Sequence, residues 1–359
     1  VYYGPRKDII TYLDRLGYKC PQYCNVADYA INRIQENSEF FIEKWKEYEK
    51  EYINLDFKKY DTLKITTQQN AGFLMQCKEL LKREIQTILR DPRSSTARLA
   101  QTVLFASLTG ALYWSLPYDP EGLRNRFGAV FFLTADSSMT GLATTILVFP
   151  EQRLLFEKER ASNMYYTTTY LLSKFLIQLP ETALFTLIYC AIIYRMIGID
   201  STFAELYITL LLSHLSVGSI GLLIGCNANN AAEAMQILPG VFAPMLLFTN
   251  FLVSLNQIPV WIRWLQWIDP FKFVVDCLAI TEYHDQLHNC MDINDPSTCI
   301  YNGNAYLESL DAGYDNTWGV KNYINDWMDS VYFDWIMLVV LTVGFRFLVW
   351  LILVRRSGF

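Results

Sequence analysis

Residues 127–150 are the stretch of sequence that most restricts the possible folds. They read FGAVFFLTADSSMTGLATTILVFP and are largely apolar. Their length is what a helix needs to cross the ~30 Å hydrocarbon core of a bilayer. They contain one acid, Asp136, and the charged run EQRLLFEKER follows directly. An acid at the centre of a bilayer costs roughly 2.5 to 3.5 kcal/mol, so Asp136 is expected to face protein or water rather than lipid.

The composition indicates a membrane protein. The 359 residues are 52% hydrophobic and 18% charged, whereas about a quarter of the residues in soluble domains are charged. The predicted fold class is an all-α polytopic membrane protein with six transmembrane helices. The six predicted spans are Leu99 to Pro117, Phe127 to Pro150, Tyr165 to Ile199, Leu206 to Asn227, Ala234 to Trp261 and Trp335 to Val354.

The distribution of basic residues predicts the orientation of the spans. Cations precede the first span and follow the second and the last, and these places lie on one side of a six-span path. That side is predicted to be cytosolic, with both termini. The opposite side receives a loop over about residues 282–334, in which Lys321 is the only cation. Arg124 and Arg126, in the short first outer loop, run against this rule.

Three further segments frame the spans. Residues 72–90 carry apolar residues at helical spacing against lysines and arginines, which predicts a basic amphipathic helix at the cytosolic membrane surface. The run VWIRWLQWIDPFKFVVDCLAI, before the last span, is rich in Trp and Phe. Such aromatic density favours the membrane interface, so we expect short interfacial or re-entrant helices there. Residues 1–65 have too few apolar residues for a core of their own and are expected to be the end of a larger domain.

Several motifs, taken in this order along the chain, resemble the G (White-Brown) subfamily of ATP-binding cassette transporters. They are VYYGP, LGYKCPQYCNVADY, FGAVFFLTADSS and FEKERASNMY. The nucleotide-binding domain of that family closes with a segment like GYxCPxxxNPADF. Here Asn25, Ala27, Asp28 and Tyr29 follow the pattern, and Val26 replaces the proline.

The resemblance implies the membrane-spanning half of an ATP-driven exporter of lipids, sterols or amphipathic small molecules. It divides the chain into the α/β tail of a nucleotide-binding domain (1–65), a linker with the connecting helix (66–94) and an ABC-2 type transmembrane domain (95–359). The chain has no GxxxxGK[ST] phosphate loop, so ATP and Mg²⁺ are expected to bind upstream in a longer parent protein. A second half-transporter, as a homo- or heterodimer, and the plasma membrane are the expected partner and location.

The family motifs also assign roles to residues. The expected substrate cavity takes residues from the second and fifth spans: Phe131, Phe132, Asp136, Met139, Phe242, Ala243 and Leu246. The expected valve above it is Phe251 with Leu252. The coupling helix, which transmits closure of the nucleotide-binding domain, would use Glu151, Arg153, Glu157 and Glu159. Asp136 and Met139 stand where drug exporters of the family often have asparagine and phenylalanine, so Asp136 could prefer a substrate with a hydroxyl or cationic group.

The cysteines predict one disulfide and no metal site. Cys290 and Cys299 lie nine positions apart in the outer loop, where an oxidising compartment would allow a bridge. The loop has no third cysteine, so a covalent dimer is not expected. Cys20 and Cys24 have no histidine nearby that would complete a zinc site.

Other interpretations stay open. Asp136 could be a satisfied acid bonded to Ser137, Ser138 or a neighbouring helix, and His214 a hydrogen-bonded core residue. The alternative function is an ATP-independent channel or secondary carrier in which Asp136, Glu181 and His214 pass protons. A membrane-embedded enzyme is disfavoured, because no pair of titratable groups has catalytic spacing within a span.

Overall fold

The computed structural model describes residues 8–21, 25–47, 71–90, 92–249, 258–290, 299–311 and 327–356. The chain divides into two compact units, residues 1–69 and residues 70–359. Each unit is described by itself below.

The first unit is helical over its described residues, with α1 at Ile9–Arg15, α2 at Val26–Glu36 and a further helical stretch at 38–47. The Asn25 side chain accepts a hydrogen bond from the Ala27 backbone N–H, 3.1 Å away, and so caps the start of α2. Asn25 therefore has a local structural role in this chain. A small apolar cluster holds the helices together, built on Leu13, Ala30 and Phe41. The strands expected of an α/β tail do not occur in the described part of this unit.

The second unit is a bundle of long helices with a small two-stranded sheet. Its helices are α3 (Phe73–Arg90), α4 (Pro92–Leu112), α5 (Pro120–Ala161), α6 (Thr167–Ile197), α7 (Phe203–Asn227), α8 (Ala231–Leu247), α9 (Val260–Arg263), α10 (Pro270–Tyr283), α11 (Gly303–Asp311) and α12 (Trp327–Arg356). A 3₁₀ turn, Trp264–Trp267, joins α9 to α10. Strands β1 (Leu287–Cys290) and β2 (Cys299–Asn302) pair antiparallel.

Side-chain caps fix the starts of four of these helices. The Asp119 side chain accepts a hydrogen bond from a backbone N–H of α5, and the Asn230 side chain accepts one from a backbone N–H of α8. Thr202 and Glu205 form a reciprocal capping box at the start of α7. Asp269 accepts from the backbone at the start of α10, where proline follows at the first helical position. The sequence therefore sets where these helices begin.

Four helices in the described chain are long and apolar enough to cross a bilayer: α5, α6, α7 and the 331–356 part of α12. They match the predicted second, third, fourth and sixth spans, and the all-α polytopic class is confirmed. At 42 residues, α5 is about 63 Å long, so it extends well beyond the hydrocarbon core.

Two predicted spans have different bounds in the structure. The first was expected at 99–117, but α4 runs from Pro92 to Leu112, because the polar residues before Leu99 continue the helix. The fifth was expected at 234–261, but α8 ends at Leu247. The short helices α9 and α10 lie before the last span, where re-entrant or interfacial helices were predicted.

Helices α5 and α7 form the centre of the bundle and approach each other closely. A Cβ atom on Gly141 of α5 would lie 3.2 Å from the backbone oxygen of His214, and one on Gly221 of α7 would lie 3.0 Å from the Thr145 Cβ. Small residues at such positions let helix backbones meet inside a membrane. The α7 helix also contacts α12, where the Trp335 indole N–H donates to the Thr209 hydroxyl at 2.9 Å.

Candidate functional site

Three aromatic rings from three helices meet beside α5. Phe131 of α5 and Phe242 of α8 both pack edge-on against Phe271 of α10, with ring centroids 5.7 and 6.2 Å apart. Phe271 is fully buried. The structure thus brings together two predicted cavity residues from different spans. It adds Phe271, which the sequence analysis missed and which only the aromatic run before the last span could have suggested.

The other predicted apolar cavity residues differ in exposure. Phe132 lies 6.2 Å from the Tyr113 ring, and Leu246 is half-buried against the main core. Met139 is 39% exposed and Ala243 is also exposed on the surface of the single chain. An apolar surface within the bundle region is available for a substrate or a second protein to cover.

Asp136 lies in a separate cavity on the other side of α5. Five residues from Phe131, it is rotated by about 140° around the helix. The cavity lies among α4, α5, α6 and α7, and Asp136, Arg98, Tyr189 and His214 are among its lining residues. Glu181 pairs with Arg98 at 2.7 Å. Two titratable groups of the alternative function, Asp136 and His214, therefore line one cavity, and the third, Glu181, pairs with its lining residue Arg98.

The predicted connecting helix α3 is bonded to the end of α5. The Arg83 guanidinium donates to both carboxylate oxygens of Glu159, at 2.7 and 2.9 Å, and the Tyr165 hydroxyl donates to the same carboxylate at 2.6 Å. Burial and the Glu159 carboxylate raise the pKa of Tyr165 above its ordinary value, so the hydroxyl keeps its proton and remains a donor. Glu159 is thus the predicted coupling residue that contacts α3.

Helix α3 is also bonded to the start of α6. The Lys174 ammonium donates to Glu84 at 2.6 Å. The Gln76 side-chain oxygen accepts from the Tyr166 backbone N–H at 3.1 Å and from the Thr169 hydroxyl at 3.3 Å. Because α5 and α6 both contact α3, a displacement of α3 would act on two long helices together.

The other predicted coupling residues lie elsewhere on α5, which continues unbroken through the charged run. Arg153 is buried and donates to the Cys226 carbonyl at the end of α7, at 2.8 Å. It also approaches Glu157 at 3.4 Å, whereas Glu151 is exposed. Four predicted coupling residues therefore divide between a contact with α3, a contact with α7 and an exposed surface.

A buried ionic cluster joins the opposite end of α5 to α10. Arg126 donates to Glu282 at 2.6 Å and to the Gly198 carbonyl at 3.0 Å, and it pairs with Asp200 at 3.1 Å. The Tyr118 ring lies 4.5 Å from the Arg126 guanidinium. This explains an arginine that runs against the orientation rule: its charge is neutralised inside the protein. The unusual position of Arg126 in the first outer loop was visible in the sequence, but its partners Glu282 and Asp200 were not.

Some predicted residues cannot be placed fully. Phe251 and Leu252, the expected valve, lie outside the described residues. The backbones of Cys290 and Cys299 are directly opposite in the β1–β2 register, and their side chains are outside the description. No group of three or more His, Cys, Asp or Glu residues able to hold a metal ion occurs among the described positions.

The apolar helices and the contacts between them define a multi-pass membrane protein. The family model of ABC-2 type transporters matches residues 75–283, more than half of the chain. The chain belongs to this family.

Curated relatives match between 80% and 99% of the chain. The broad substrate specificity ATP-binding cassette transporter ABCG2 of Mus musculus is 26% identical over 98% of the chain and 59% of its own length. Protein white of Drosophila melanogaster is 26% identical over 99% of the chain and 53% of its length. Protein white of Ceratitis capitata is 28% identical over 80% of the chain and 41% of its length. The chain thus spans less than two thirds of these relatives.

Proposed function

We propose that the chain is the membrane-spanning half of an ATP-driven exporter that moves lipids, sterols or amphipathic small molecules by alternating access in a dimer. The observation that carries this proposal is the ionic contact between α3 and Glu159. It connects a basic cytosolic-side helix to the same long helix that bears Phe131. Force applied to α3 would therefore reach the apolar cluster through one continuous helix.

The energy source in this proposal is a nucleotide-binding domain that precedes the chain in a longer parent protein. That domain would hold ATP and Mg²⁺, since this sequence lacks the phosphate loop. The protein would then lie in the plasma membrane with both termini of the chain in the cytosol. The name of the relative ABCG2, an ATP-binding cassette transporter, supports this mechanism.

The substrate surface in this proposal is the aromatic cluster with its exposed apolar surroundings. Phe131 and Phe242 pack against the buried Phe271, whereas Met139 and Ala243 are exposed. A second half-transporter would cover these exposed residues and close a cavity. An aromatic and methionine-containing wall suits flat or flexible apolar molecules. Phe251 and Leu252 are kept as the proposed valve.

The test is transport by the full-length protein in inside-out vesicles, measured with a panel of fluorescent lipids, sterols and amphipathic dyes. We expect uptake that requires ATP and that Phe242→Ala lowers several-fold. Phe347→Ala is the matched control, because Phe347 is 55% exposed on α12 and stacks only on its own helix neighbour Trp350 among the described rings. Equal uptake with and without ATP would refute the proposal.

The alternative, an ATP-independent channel or carrier, has one observation in its favour: Asp136 and His214 line the same cavity, and Glu181 pairs with its lining residue Arg98. The same vesicles separate the two functions. A carrier of this kind would transport substrate with a proton gradient and without ATP, and Asp136→Asn would abolish that transport.

A further inference from the structure

The cavity that contains Asp136 has a polar inner wall without enough internal partners. The hydroxyls of Ser137 and Thr186 are buried, line the cavity and have no hydrogen-bond partner among the described residues, and the buried Tyr189 hydroxyl lies beside Asp136 and Thr109. A buried hydroxyl without a hydrogen-bond partner destabilises the folded protein. The inner wall of the cavity therefore offers hydrogen-bonding groups to a ligand that enters it.

The charge in this cavity favours a cation. No ion pair of the described chain involves Asp136, whereas the Arg98 guanidinium is neutralised by Glu181 at 2.7 Å and lies 4.7 Å from the Phe185 ring. An incoming anion would meet an uncompensated carboxylate, but a cation would compensate it. His214 also faces the cavity, from α7.

The size and the mouth of the cavity restrict the ligand further. The space open to water-sized groups is about 30 Å³, which is room for one or two such groups. A primary ammonium group fits this space and has three N–H donors, whereas a trimethylammonium group is larger and has no N–H donor for the carboxylate or the hydroxyls. Gln101 and Phe105 of α4 are exposed at the mouth, and Phe185 is half-buried beside them. Aromatic rings at this place can pack against a hydrocarbon chain.

We propose that the cavity among α4, α5, α6 and α7 is a binding site for an amphipathic primary amine. The ammonium group bonds to Asp136 and to the hydroxyls of Ser137, Thr186 and Tyr189, and the hydrocarbon chain lies against Phe105 and Phe185. The site lies within one protomer and apart from the Phe131 cluster. It takes part in no step of ATP hydrolysis, so its occupancy can be measured without nucleotide.

The test is equilibrium binding of radiolabelled octylamine to the purified chain in nanodiscs of zwitterionic lipid, with empty nanodiscs as the baseline. We expect saturable binding that octyltrimethylammonium and octanol displace at least tenfold more weakly than unlabelled octylamine. Asp136→Asn removes a charge-assisted hydrogen bond, so it should weaken octylamine binding by about 10- to 100-fold. Binding of octyltrimethylammonium equal to that of octylamine would overturn the proposal, as would an absence of saturable binding.

Two further variants distinguish a loss of binding from misfolding of the protein. Thr186→Val removes one orphan hydroxyl at nearly constant volume and should weaken binding several-fold while the acid is kept. Thr144→Val is the matched control, because the Thr144 hydroxyl donates to the carbonyls of Thr140 and Gly141 in its own helix, and it should bind octylamine like the wild type. Unchanged binding in both Asp136→Asn and Thr186→Val would contradict the site. Because no nucleotide is present, this result is independent of whether the protein is an ATP-driven exporter.

Discussion

Replacing Arg126 with methionine is expected to destabilise the bundle severely, because it removes the cation from a buried ionic cluster. The Arg126 and Glu282 side chains are 2% and 4% exposed and meet at 2.6 Å, and Asp200 lies 3.1 Å from the same guanidinium nitrogen. Methionine keeps most of the side-chain volume and leaves the acids without their partner. Breaking a buried pair in this way costs about 3 to 5 kcal/mol.

The assay is unfolding of the purified chain in nanodiscs at pH 8, where Glu282 is ionised in the folded wild type. Arg126→Met should lower the free energy of unfolding by about 3 to 5 kcal/mol, and the double variant Arg126→Met, Glu282→Gln should recover part of the loss, since it buries one charge fewer. A loss below about 1 kcal/mol would refute the reasoning, because that is the value of an exposed pair. So would a double variant less stable than Arg126→Met.

Three other predictions follow from single contacts. Burial raises the pKa of Glu282 to about 7, so the folded chain keeps a proton that the unfolded chain releases above about pH 4.3. Stability is therefore lost as the pH rises, and the melting temperature should fall from pH 5 to pH 8. The Glu282→Gln variant should remove this difference. Gly221→Ala should lower the free energy of unfolding by about 1 to 3 kcal/mol, because the new methyl group overpacks the contact between α5 and α7. Gly240→Ala should leave the free energy of unfolding unchanged, because no atom lies within 4 Å of the new Cβ. Cys290 and Cys299 should be joined by a disulfide seen by mass spectrometry, whose loss costs about 2 to 4 kcal/mol; free thiols in protein purified without reductant would exclude it.

The sequence could predict the spans because an apolar run in a bilayer must form a helix to satisfy its own backbone. The strongest runs, such as 127–150 and 206–227, matched helices of the structure. The first span was misplaced because its threonines, serines and glutamine give no sharp apolar boundary. The caps at Thr202 and Asp269 were readable locally, since each residue bonds within three positions of itself.

The placement of the site residues depends on how helices rotate about their axes, which single-sequence reasoning does not fix. Phe131 and Asp136 share a span, yet Phe131 packs in the aromatic cluster and Asp136 lines the cavity among α4, α5, α6 and α7. The partner of Arg126 is 156 positions away on α10, and no local pattern connects them. Glu159 was expected in the coupling helix from the family resemblance, but its partner Arg83 could not be selected among the basic residues of α3.

In the proposed mechanism, movement of a nucleotide-binding domain reaches the membrane helices through the contact between Arg83 and Glu159. The most direct measurement is the ratio of substrate transported to ATP hydrolysed by the full-length protein in vesicles, for the wild type, Arg83→Ala, Glu159→Ala and the double variant. The proposed mechanism predicts that each variant lowers this ratio while ATP hydrolysis continues, and that the double variant is no worse than either single one. A ratio equal to that of the wild type in all three variants would contradict coupling through this contact.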